Sequence, residues 1–144
     1  MHLVTERRGA IDLATTPVHL GLGGRASPIE GFAWDPEVLE AYSAAAAPDG
    51  PDGRLVMIFT ADASWDSWER HPAGEEVVIC LSGHMTVIRE IDGRPDPVEL
   101  RAGQAMVNPP GVWLSLIHIS EPTPARVGTP SPACWVARGR TSSR

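Results

Sequence analysis

Lysine is absent from this chain, and all 12 basic residues are arginine. Set against 18 acidic residues they leave a net charge of -6 and a pI near 5.3. Binding a phosphate backbone needs a concentrated basic surface, so nucleic acid is not an expected partner. The arginine-only usage, beside abundant alanine, glycine and proline, reads as codon-composition bias and says little about chemistry. Cysteine is scarce too: Cys80 and Cys134 make neither a disulfide framework nor a paired metal motif. Cys80 lies in an apolar run that disfavours a thiolate, so it is expected as a buried free thiol and not as a nucleophile. No stretch reaches the ~18 consecutive apolar residues of a membrane span, and the N-terminus, MHLVTERRGAID, lacks the apolar core of a secretory signal. A cytoplasmic protein with no membrane contact is the expectation. Also missing are a GxSxG elbow, a P-loop, a CxxC pair and an HExxH helix. Hydrolase, nucleotide-binding and zinc-protease readings therefore have no starting point.

What is present suits one domain, since 144 residues can bury a real core but not two full catalytic domains. Residues 1–53 read as a lead-in with one short helix. Asp35 is placed to cap it and Pro36 suits its first position. Val38, Leu39, Tyr42, Ala45 and Ala46 then recur at helical spacing before Pro48. Trp34 and Leu39 are placed for a hydrophobic staple across the helix start. PDGPDG is a turn cluster, the glycines of HLGLGGRASPIEG have no nucleotide-binding arrangement, and His2 and His19 show no partner pattern.

From Arg54 the pattern becomes strand after strand. RLVMIFT is a short apolar strand, and SWDSWERH alternates, with Trp65, Ser67, Glu69 and His71 on one face. After Pro72-Ala73-Gly74, the run EVVICLS from Glu76 to Ser82 is apolar on both faces. Its outer face needs a cover: the N-terminal helix, another strand layer, or a second subunit, which leaves a homodimer open. Gly83 breaks the run, HMTVIREI makes another strand, and Asp92-Gly93 begins a connection of hairpin type before VELR. AGQAMVN then leads into the rigid turn Pro109-Pro110-Gly111. The fold class is mainly β, a meander around glycine turns that makes a sandwich or barrel.

HPAGEEVVICLSG, followed by GQAMVNPPGVW, resembles the two motifs of the cupin superfamily over residues 54–113. The resemblance implies a jelly-roll, or double-stranded β-helix, barrel. His71 matches the second histidine of the first motif, Glu76 its glutamate and Gly83 its glycine, while Glu69 stands at the first histidine position. In the second motif Gly103, Pro109 and Gly111 match, and the position of the last metal-ligating histidine falls on Leu114.

A divalent ion such as Fe, Mn, Ni or Zn is held well by imidazole and carboxylate, with positions left open for substrate or water. Glu69 and His71 alternate onto one strand face, and Glu76 begins the neighbouring strand, so the expected ligands are Glu69, His71 and Glu76. The alternative makes both glutamates solvated charges at strand ends and His71 a loop histidine before proline. His118 lies about 13 Å along an extended strand from Leu114 and does not replace the missing ligand. His84 is expected on the surface or the barrel rim. Trp65, Trp68 and Trp113 are either core or the lining of a pocket for a small organic ligand.

The text changes after Trp113. Residues 1–113 carry 8 Arg against 17 Asp and Glu, a net of -9, whereas residues 114–144 carry 4 Arg against Glu121 alone, a net of +3. LSLIHISEPT resembles the translation of sequencing-adaptor read-through, and it starts where the second motif fails. Residues 114–144 are therefore expected as a non-native or disordered tail, leaving the barrel incomplete at its C-terminus with an exposed strand edge. The alternative is a natural cupin that has lost its metal site.

Three functional readings follow. One is a cupin of unspecified small-molecule function with an incomplete divalent-metal site, resembling in its intact form the metal-dependent dioxygenases or isomerases. A second is a metal-free cupin that binds or senses a small organic ligand lined by Trp65 and Met106. The third is an inactive product of a corrupted reading frame.

Overall fold

Short aliphatic runs punctuated by glycine turns fold into two antiparallel sheets, which the computed structural model describes over residues 9–60, 68–117, 133–138 and 142–143. In chain order the strands are β1 (Val18–Leu20), β2 (Ala26–Pro28), β3 (Arg54–Thr60), β4 (Glu69–Arg70), β5 (Glu76–Ser82), β6 (His84–Ile91), β7 (Arg94–Arg101), β8 (Ala105–Asn108), β9 (Leu114–Ile117), β10 (Ala133–Arg138) and β11 (Ser142–Ser143). One sheet has the order β2-β1-β3-β10-β5-β8 and the other β11-β4-β9-β6-β7. Among the described residues neither closes on itself, so the jelly roll is open there. SWDSWE lies mostly outside the described residues, and only its end is seen as β4.

Local chemistry accounts for several of these elements. In β5 the buried residues Glu76, Val78 and Cys80 alternate with more exposed neighbours, which is the period of a strand with one face on the core. Asp92 and Gly93 both adopt positive φ, 51° and 73°, as a two-residue hairpin loop requires to match strand twist. Pro95 and Pro97 cannot donate to a ladder, and β7 that carries them is an edge strand.

The two sheets meet over Val78, Cys80, Met85, Val87, Leu100, Met106, Leu114 and Leu116, with Phe59 and Val98 packed against them. Each such side chain contributes roughly 1.5–3 kcal/mol on leaving water. Cys80 is buried and free, and desolvation pushes its thiol pKa up.

The helix α1 (Pro36–Ala46) begins as its sequence indicates, with the Asp35 carboxylate accepting from the Glu37 backbone N–H at 2.9 Å and Pro36 in the first turn. Trp34 is 61% exposed, and its ring meets Phe32 edge-on at 5.3 Å between centroids, so the aromatic contact before the helix is with Phe32.

Two parts of the architecture were not read from the sequence. The lead-in holds the β1–β2 hairpin, which extends the first sheet by pairing Val18 with Val56. Three-residue strands are too short to show a two-residue period. The core also continues past Trp113: β9 pairs with β6 and β4, and β10 lies between β3 and β5. Leu-Ser-Leu-Ile has strand-forming alternation of its own, which a change of overall charge does not remove.

Candidate metal centre

Glu69, His71 and Glu76 come together where β4 ends, the Pro72-Ala73-Gly74 turn reverses the chain and β5 starts. One ligand atom from each lies within 4.8 Å of the others. The turn brings Glu76 back beside His71, and the His71 carbonyl accepts from the Gly111 backbone N–H at 3.1 Å, tying the second motif's turn to the first motif.

His71 and Glu76 side chains are each 1% exposed, and His71 Nε2 lies 2.9 Å from Glu76 Oε2. That approach lacks hydrogen-bond alignment, and neither ring nitrogen of His71 has a hydrogen-bond partner among the described residues. A buried imidazole in that condition bears a desolvation cost that a bound cation would offset. The set of one nitrogen and two carboxylates suits Fe, Mn, Ni or Zn, so the residues present fit a divalent ion. The reading of these three as solvated strand-end groups and a loop histidine does not describe the buried pair.

Leu114 closes the ligand set. It is the register partner of Glu69 across β4 and β9, 2% exposed, and part of the core. Beside the site, the Arg70 guanidinium sits 4.9 Å above the Trp113 ring, a cation–π contact that holds the far side of the same strand. Asn108, also buried, donates to the Val112 carbonyl at 3.1 Å and braces the turn before Trp113. Met106 belongs to the core, His84 is half-buried at the start of β6, and Trp65, His2 and His118 lie outside the described residues. One histidine that sequence reasoning left without a partner, His19, is buried in a separate polar cluster.

The Cupin domain family matches residues 55–129, more than half of the chain, and the protein belongs to that family. No curated protein matches it. Among solved structures it is similar to a cupin-2 domain containing protein from Shewanella frigidimarina, with 17% identity, a TM-score of 0.45, and coverage of 60% of this chain and 71% of that one. It is also similar to the sugar 3,4-ketoisomerase QdtA from Thermoanaerobacterium thermosaccharolyticum, with 20% identity, a TM-score of 0.46, and coverage of 59% and 58%. Fe(II) HppE in complex with substrate matches at 20% identity and a TM-score of 0.42, covering 60% of this chain and 45% of that one. The chain thus spans about half the length of the last two. Among the described residues, no helix is long and apolar enough to cross a membrane.

Proposed function

We propose that this cupin binds one divalent cation through Glu69, His71 and Glu76 and serves a small organic ligand at the open side of that site. The observation that carries the reading is the convergence of three ligand atoms within 4.8 Å, one of them from a buried imidazole with no hydrogen-bond partner among the described residues. His71 would supply a ring nitrogen and Glu69 and Glu76 carboxylate oxygens, with Leu114 buried opposite Glu69. A divalent ion bound there supplies Lewis acidity or oxygen activation, the chemistry of a dioxygenase or isomerase. Titrating metal-free protein with Co(II), read by visible absorption and calorimetry, should give one site per chain that His71→Ala removes. Absence of saturable binding, or equal binding by the variant, would overturn it.

A metal-free small-molecule cupin is the second reading, favoured by Leu114 at the last ligand position. It predicts ligand binding unaffected by chelator. Leu81 on β5 and Val107 on β8 are exposed on neighbouring strands, and a second copy of the chain is the proposed cover, tested by mass in solution. We also propose that the segment from Leu114 derives from adaptor read-through. Resequencing the locus tests this, and an uninterrupted natural frame to Arg144 would sink it.

A further inference from the structure

A second cluster of polar side chains lies at the β2–β1 edge of the first sheet, where that hairpin meets α1 and the 3-10 turns of Ala47–Asp52. Asp49 is its centre. Its carboxylate accepts from the Leu22 backbone N–H at 3.1 Å, from His19 Nε2 at 2.7 Å, and from the Arg25 guanidinium. An ionised carboxylate only accepts, so Nε2 carries the proton, and in the neutral ring Nδ1 accepts from the Tyr42 hydroxyl at 2.9 Å. The backbone is shaped around these groups. A Cβ on Gly21 would stand 2.8 Å from Asp49 Oδ2, and one on Gly53 would stand 2.9 Å from His19 Cε1. Gly21 and Gly53 have ordinary φ, -102° and -65°, so it is space and not backbone conformation that requires glycine.

Beside the cluster is a cavity of about 720 Å³, whose wall includes His19, Arg25, Tyr42 and Glu30, with Val38 and Ala41 from the apolar face of α1. That volume falls in the range of small-molecule sites. Asp49 is buried behind the wall while the Arg25 side chain is 53% exposed, so the ion pair presents its positive end to the cavity. Only Nη2 of Arg25 is engaged by Asp49, which leaves the rest of a fork suited to a carboxylate. Glu30 on the same wall limits the negative charge a ligand can bring, disfavouring polyanions such as nucleotides. Tyr42 donates its proton to His19 and so offers the cavity an acceptor.

We propose that this cavity is a second ligand site, taking a small monocarboxylic acid with an apolar body, its carboxylate on Arg25 and its body along Val38 and Ala41. The inference does not depend on the barrel's metal.

Calorimetric titration of the full chain with 4-phenylbutyrate tests it, with 4-phenylbutylamine as the probe of equal body and opposite charge. Saturable one-to-one binding of the acid and none of the amine are expected. Arg25→Gln should weaken the acid by about tenfold or more. Ala41→Trp, on an exposed helix position, should abolish binding by filling the cavity while the thermal transition is kept. Should Arg25→Gln fail to fold, Ala41→Trp alone decides. No saturable binding, equal binding of the amine, or loss in His71→Ala with retention in Ala41→Trp would overturn the proposal, the last by placing the ligand in the barrel.

Discussion

Glu69 and Leu114 oppose each other as register partners across β4 and β9. Directly opposed residues hold their Cβ atoms about 4.5–5.5 Å apart, so a side chain at position 114 reaches the space in which Glu69 would bind an ion. Leu114→His should tighten Co(II) binding by about tenfold, or about 1.4 kcal/mol. The same change places an imidazole in the apolar core and should lower metal-free stability by about 1–3 kcal/mol. Calorimetry and urea unfolding read the two effects separately, and unchanged affinity would remove position 114 from the site.

The contact between His71 and Glu76 is fully buried, at 2.9 Å. Because the pair is buried without hydrogen-bond alignment, Glu76→Ala should change the stability of the metal-free protein by only about 1–3 kcal/mol while removing Co(II) binding. Urea denaturation and calorimetry read the two effects, and a loss above about 3 kcal/mol, or Co(II) binding kept, would mean that the pair is a structural ion pair instead of a ligand set.

Leu116 is buried to the same degree as Leu114, in a segment whose composition differs from that of residues 1–113. Leu116→Ala should cost about 2–5 kcal/mol, comparable with Met85→Ala at the centre of the core. Denaturant midpoints of the two variants make the comparison. A change within about 0.5 kcal/mol for Leu116→Ala alone would place the segment outside the core.

The Asp49 cluster should appear in the pH dependence of stability at both extremes. Asp49 has a lowered pKa, first because the Leu22 N–H bonds its carboxylate and then because His19 does. Its stabilisation is fully present above about pH 4, the unfolded value, and is lost as pH falls through the lower folded one. Tyr42 moves the other way, pushed up to about 12 from 10.0 by burial and then by the charge of Asp49. Its contribution is present below pH 10 and lost as pH rises through about 12. Asp49→Asn should flatten the acid limb and Tyr42→Phe the alkaline limb of a plot of urea midpoint against pH. Limbs parallel to those of the wild type would contradict this.

Much of the barrel was legible because its signals are local. The apolar runs RLVMIFT and EVVICLS, the strand HMTVIREI, the Asp92-Gly93 loop, and the Asp35-Pro36 helix start depend on neighbours within a few residues, and all five stand where the sequence indicates. The proximity of Glu69, His71 and Glu76 was legible for the same reason, since one turn separates them. The β1–β2 hairpin was not, because three-residue strands are too short for a period. The His19–Asp49 pair was not either, because its members are 30 residues apart.

Sequence by itself thus determined the longer strands and their turns and marked Glu69, His71 and Glu76 as candidate ligands, through backbone preference and side-chain type. Only the tertiary structure decided that His71 and Glu76 are buried together, that Leu114 faces Glu69, and that Arg25, His19, Tyr42 and Asp49 share one cluster beside a cavity. Burial and cross-strand register arise from contacts distant in the chain, which no local pattern encodes.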